Sequence, residues 1–146
     1  MHEILMILTA NLPMKTIEID DEPYLERYHV KTDLDGTQHW LHRFLRNDPE
    51  RHLHSHPWTA YSTILCGSYF EELENGNFCH YYCETTNHIT PDKLHRIIQV
   101  EPNTWTYMKV HPGRLLSWAF IDDSGARTPV LTSPEDWWKN CKTRQI

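Results

Sequence analysis

No stretch of this sequence approaches the roughly 20 consecutive apolar residues that a membrane-spanning helix needs. No run of basic residues offers an electrostatic footprint for a nucleic-acid backbone either. With 14 Lys and Arg against 20 Asp and Glu, the formal net charge is -6, so small molecules or proteins are the expected partners rather than nucleic acid or membrane. A G-x-S-x-G turn, a G-x-G-x-x-G and a P-loop are all missing, which leaves hydrolase, dinucleotide and nucleoside-triphosphate chemistry without an anchor. Linkers, low-complexity tracts and solenoid periods are absent, and 146 residues suit a single domain with one core. Cysteine is sparse: Cys66, Cys79, Cys83 and Cys141. The opening MHEILMILTA has a short apolar run at 4–8 with no basic stretch before it, so it reads as a first strand and not as an export signal. Reduced cysteines and a cytoplasmic location are therefore expected. Cys79 and Cys83, with His80 between them, have the wrong spacing for a zinc ribbon, and no second cysteine pair accompanies them.

Histidine and aromatics are what the chain has in excess, with 11 His, 6 Trp and 7 Tyr. In RHLHSHPW, His52, His54 and His56 occupy alternate positions. On a strand, alternate side chains share a face, so the spacing points all three to one side, as a metal site requires. A lone histidine near a turn is ordinarily a surface residue, and His2, His29, His80, His88 and His111 are read that way.

The remainder reads as short strands separated by turns, an all-β sandwich or barrel. Asp35-Gly36 and Asn75-Gly76 each mark a hairpin. DDEPYLERYHV, residues 20–30, fits a helical turn or an edge strand. SPEDWWKN, residues 133–140, predicts a terminal helix capped by Ser133 and begun by Pro134, with Trp137 or Trp138 against the barrel or a second subunit. WLHRFL at 40–45 and KLHRII at 93–98 share Leu-His-Arg before a bulky apolar residue, by chance or because both strands line one cavity.

The stretch HSHPWTAYSTILCG resembles the first motif of the cupins, small β-barrel or jelly-roll proteins. The cupin motif has His-x-His, then a glutamate, then a strand ending in glycine. His54, His56 and Gly67 match it, while Ala60 stands where the glutamate belongs. TPDKLHR resembles the second cupin motif, with Pro91 ahead of His95 and Lys93 at a usual glycine position. His95 is favoured as the third histidine because it opens an apolar strand; His111, in the Pro-Gly turn of VHPGR, is its rival. The chain is also similar to short single-domain cupins of bacterial and phage genomes, which share HPW, HR and a TWT…R-x-W-x-F pattern over roughly residues 25–125. The resemblance implies a cupin barrel with its core at roughly 25–125, in a single domain over 1–146 that includes the C-terminal helix.

If His54, His56 and His95 converge, they form a site for a divalent metal, with Fe(II) favoured and Zn or Ni as alternatives. The expected function is a small-molecule metalloenzyme such as a non-haem iron dioxygenase. The alternatives are a non-catalytic small-molecule-binding cupin and a sugar isomerase or epimerase with His42 or His52 as base. Tyr61 is the candidate catalytic side chain. Trp58, Arg43, Trp105, Tyr107 and Trp118 are candidates for the substrate wall, and His42 and His52 for a supporting layer behind the metal ligands. Because neighbouring strand residues point oppositely, one of His42 and Arg43, and one of His95 and Arg96, must be structural. A homodimer is expected, since pairing covers exposed sheet edges.

Overall fold

The computed structural model describes residues 1–19, 21–47, 52–112, 119–121 and 127–129. A short helix α1 (His2–Leu8) precedes strands β1 (Met14–Ile19), β2 (Glu22–Thr32) and β3 (Gln38–Phe44). Next come β4 (His54–Ser55), β5 (Ala60–Cys66), β6 (Ser68–Leu73), β7 (Phe78–Tyr82) and β8 (Thr86–Ile89). The series continues with β9 (His95–Ile98), β10 (Thr104–Val110), β11 (Ala119–Ile121) and β12 (Arg127–Pro129). They form two antiparallel six-stranded sheets, ordered β1-β2-β3-β10-β5-β8 and β12-β11-β4-β9-β6-β7. The all-β jelly-roll architecture expected from the sequence is present.

The sheets meet through a core in which Tyr24, Leu25, Phe44 and Ile64 of the first pack with Tyr69 of the second and with Val100. A second interior cluster gathers Trp40, Ala60, Ile89 and Met108, with Trp58 and Val110 against it. The outer face of the first sheet is covered by α1, where Leu5 packs on Tyr28 and Trp105.

The run at 4–8 is therefore helical and not the strand its composition suggested. A short continuous apolar run does not distinguish the two states. The deciding contacts are made by residues three apart, which share a face only on a helix. Leu5 packs on Trp105, and Trp105 Nε1 donates to His2 Nδ1 at 2.9 Å. The last turn is tied off by Thr9 Oγ1 donating to the Leu5 carbonyl at 2.7 Å. Among the described residues, no helix is long and apolar enough to cross a membrane.

Both hairpins form where their turn dipeptides stand, joining β2 to β3 and β6 to β7. Residues 22–32 are neither a helical turn nor an edge strand, because β1 and β3 pair with them on both sides. The strand read over the alternating histidines shrinks to His54–Ser55, and His56 follows it ahead of Pro57, which has no amide hydrogen to donate. Gly67 turns β5 into β6 with φ +79, and a Cβ there would lie 2.9 Å from Thr104 Cα. Residues 133–140, with Trp137 and Trp138, lie outside the described residues, as do Trp118 and Cys141.

Candidate metal centre

β4 and β9 meet at one register pair, His54 opposite His95. β9 continues along β6 so that His95, Leu73, Glu71 and Ile97 share the inward face. His56 comes from just beyond β4, and its ring stacks on Trp58 with centroids 4.3 Å apart and planes 18° from parallel. One ligand nitrogen from each of His54, His56 and His95 lies within 4.8 Å of the others, and His54 and His95 are buried. Among the described residues this is the grouping of His, Cys, Asp or Glu suited to an ion.

Hydrogen bonds on the far side of two rings set their tautomers. His54 Nδ1 lies 3.2 Å from the His52 carbonyl, which only accepts, so Nδ1 carries the proton and Nε2 is left with its lone pair. His95 Nδ1 likewise donates to Glu71 Oε1, so in the neutral ring the lone pair falls on Nε2. His56 Nε2 and His95 Nε2 are 3.0 Å apart. Two nitrogens held by one ion at about 2.1 Å each sit roughly 3.0–3.4 Å apart, so the spacing and the donor set both fit a divalent metal.

Nothing in the sequence around Glu71 marks it as a site residue. A glutamate in a strand is ordinarily solvated, yet this one is fully buried between sheet neighbours. The signal available was alternation: Tyr69, Glu71 and Leu73 fall on one face, and Tyr69 belongs inside. Glu71 Oε2 lies 2.7 Å from Lys93 Nζ in ion-pair contact, and Asn87 Nδ2 donates to Oε1 at 2.8 Å. Lys93 Nζ also donates to Asn87 Oδ1 at 2.6 Å, and Asn87 Nδ2 to the Tyr69 hydroxyl at 3.1 Å. Burial pushes the Glu71 carboxyl up, but the hydrogen bonds from His95, Lys93 and Asn87 outweigh it and hold the group below the usual carboxylate range. Burial and the Glu71 charge push Tyr81 above the ordinary phenol value. Lys93, at a usual cupin glycine position, is thus the counter-ion of the carboxylate that orients His95. Carboxylate–histidine pairing of this kind fixes ring orientation and raises the basicity of the metal-facing nitrogen.

The other sequence-selected residues divide by face. Trp58 lies inside, against His56 and the Trp40 cluster. His42 also points inward; burial, then the neighbouring Arg27 charge, hold its pKa well below the ordinary histidine value. Ala60 is fully buried among Trp40, Ile89 and Met108, in apolar packing where a carboxylate would be desolvated. Arg43 faces outward, where it donates to Asn103 Oδ1 at 2.7 and 3.0 Å and pairs with Glu26 at 3.2 Å. Arg96 also faces outward and donates to Glu72 at 2.6 Å. Trp105 stacks on Tyr28 beneath α1, and Tyr107 bonds to His39 on that same outer face. Tyr61 lies between inward Ala60 and Ser62, so it too points out, flat on His88 at 4.6 Å and beside His111 at 5.8 Å. The His52 side chain is exposed, and its carbonyl is what reaches the site. His80 stacks outward on Phe70, away from inward Cys79.

Neither a protein-family model nor a curated protein matches the sequence. Solved structures do. A cupin-2 domain from Rhodospirillum rubrum superposes with TM-score 0.61 at 10% identity, over 78% of each chain. The fold is that of the cupins. KdgF from a Halomonas species is a second structural neighbour, with TM-score 0.54 and 21% identity over 66% of this chain and 87% of its own. The Fe(II) form of HppE, crystallised with an alternative substrate, matches with TM-score 0.57 and 12% identity over 71% of this chain and 57% of the longer one. At these identities the likeness to the solved structures is one of fold.

Proposed function

We propose that this chain binds a divalent metal ion through His54, His56 and His95 and acts on a small molecule, with iron(II) and dioxygen-dependent oxidation as the favoured form. The observation that carries this is the convergence of three imidazoles, two of them held through Nδ1 by the His52 carbonyl and by Glu71. The iron(II) state of HppE, a protein of the same fold, supports the choice of metal. When bound, such an ion supplies Lewis acidity and, as iron, one-electron chemistry at positions the protein leaves open.

The chain's own residues supply the rest. Glu71, buffered by Lys93 and Asn87, keeps the His95 ring turned and its Nδ1 protonated. Trp58 holds His56 by stacking and, with Trp40, presents an apolar wall that keeps water from one side of the site. Because Ala60 replaces a carboxylate, the donor set is neutral and the ion keeps its full charge, which favours an anionic substrate. That same replacement supports a second reading, a cupin that binds its ligand without turning it over.

The test is elemental mass spectrometry of the purified protein, reconstituted anaerobically with iron(II), zinc or nickel, beside the His54→Ala/His56→Ala double variant. About one ion per chain is expected for the wild type and none for a variant that keeps its far-ultraviolet spectrum. Equal metal content in the two proteins would overturn the assignment. Oxygen uptake with small thiols and organic acids then separates oxidation from binding alone.

A further inference from the structure

Three side chains on neighbouring strands of the first sheet point into the barrel at one level. His42 of β3 is in register with Arg27 of β2 on one side and with Thr106 of β10 on the other. Cross-strand partners share a face, and the flanking inward residues Trp40 and Phe44 place that face in the core. His42 is only 6% exposed and Thr106 fully buried, yet among the described residues His42 Nε2 and Thr106 Oγ1 have no hydrogen-bond partner. Buried polar atoms without partners are rare and costly, and two on adjacent strands beside a guanidinium call for an occupant.

Arg43, the substrate-binding candidate next to His42 in the sequence, faces outward. Arg27, one strand over, takes that place.

The three groups define the occupant's chemistry. Held neutral by its surroundings, His42 presents Nε2 either as N–H donor or as acceptor, Thr106 presents a hydroxyl, and Arg27 presents one positive charge. A guanidinium with an imidazole nitrogen and a hydroxyl beside it suits the paired oxygens of a carboxylate. The surroundings continue towards the histidine cluster. Arg27 lies 5.8 Å from the centroid of the Trp40 ring, Trp58 packs against the Trp40 cluster, and His56 stacks on Trp58.

We propose that Arg27, His42 and Thr106 form an acid-binding subsite, which anchors the carboxylate of a small organic acid whose apolar body lies along Trp40 and Trp58. Binding of the acid stands on these residues alone; its role as the anchor of a substrate rests on the metalloenzyme reading above.

The probes are acetate, propionate and benzoate, each paired with its neutral amide, titrated into metal-free and metal-loaded protein by calorimetry and by NMR shift changes. At least one acid should bind about ten-fold or more tightly than its amide, with or without metal. Arg27→Gln and, separately, Thr106→Val should each weaken that acid about ten-fold and leave the amide unchanged. Thr106→Val keeps the side-chain shape, so it carries the test if the arginine variant does not fold. Equal binding of acid and amide, full affinity in the folded variants, or binding of the acid only when metal is loaded would overturn the subsite. No binding of any probe would mean that the unpaired atoms hold water alone, and would overturn it too. Metal content is read on the same samples, so a chain that takes the acid but no ion refutes the metal centre and spares the subsite.

Discussion

Replacing Lys93 by Met tests the buried network directly. The Glu71 side chain is fully buried and that of Lys93 is 17% exposed, so solvent screens their 2.7 Å pairing little. Removing one partner of a buried pair costs about 3–5 kcal/mol, because the other charge is stranded. His95 and Asn87 still bond the carboxylate, which places the expected loss near 3 kcal/mol. For a chain of this size that corresponds to a Tm lower by roughly 10 °C. Urea unfolding of metal-free protein at pH 7.5, followed by tryptophan fluorescence, should show the loss as a lower midpoint at unchanged slope. Adding Glu71→Gln to Lys93→Met removes the stranded charge, so the double variant should recover about half the loss and reveal the coupling. The sign with pH follows from Glu71, whose carboxyl is held below its usual range in the folded protein. Its contribution is complete above the unfolded value of about 4.3 and is lost as pH falls through the lower folded value. The gap between wild type and Lys93→Met should therefore be full at neutral pH and close towards pH 3. A variant within about 1 kcal/mol of wild type at pH 7.5, or a gap that persists unchanged in acid, would refute the buried-pair argument.

Other outcomes follow from the same geometry. Glu71→Gln should keep the fold but weaken metal binding about 10–100-fold in competition with a chelator, since the His95 tautomer is no longer enforced. His42 is kept neutral by burial, so folded protein cannot take up the proton that the unfolded chain accepts below the usual histidine value of 6.5. The stability of metal-free protein should then fall as pH drops from about 6.5, and His42→Gln should flatten that part of the curve. Gly67→Ala should cost at least about 3 kcal/mol or prevent folding, because the positive φ is disfavoured and the added carbon meets Thr104 backbone. Gly76→Ala, also at positive φ but with open space around it, should cost only about 1 kcal/mol in the same denaturation assay.

Turn chemistry and alternation made much of this fold legible before any coordinates. Asp35-Gly36, Asn75-Gly76 and Gly67 mark real reversals because positive φ is local and glycine is its cheapest bearer. The clustering of His54 and His56 was readable from spacing, and that of His95 from the strand it opens. What sequence left open is which side of each strand becomes the interior. Trp105 and Tyr107 look like cavity lining, yet Thr106 and Met108 between and beyond them face inward, because α1 covers the outer side. That cover comes from residues about a hundred positions away. Tyr61 faces outward for the matching reason, since Ala60 and Ser62 take the interior. Glu71 escaped notice because its partners, Lys93 and His95, lie on a different strand and loop, and only the folded register brings them together.

The single pairing of His54 with His95 has a topological consequence. The two residues stand roughly 40 positions apart in the chain, and β4 is too short to hold that contact by its own ladder. An ion gripping both would act as a clip across this loop, removing on the order of 3 kcal/mol of closure entropy from the unfolded chain. Metal loading would then slow unfolding chiefly by tethering β5 to β8, the whole segment enclosed between its ligands.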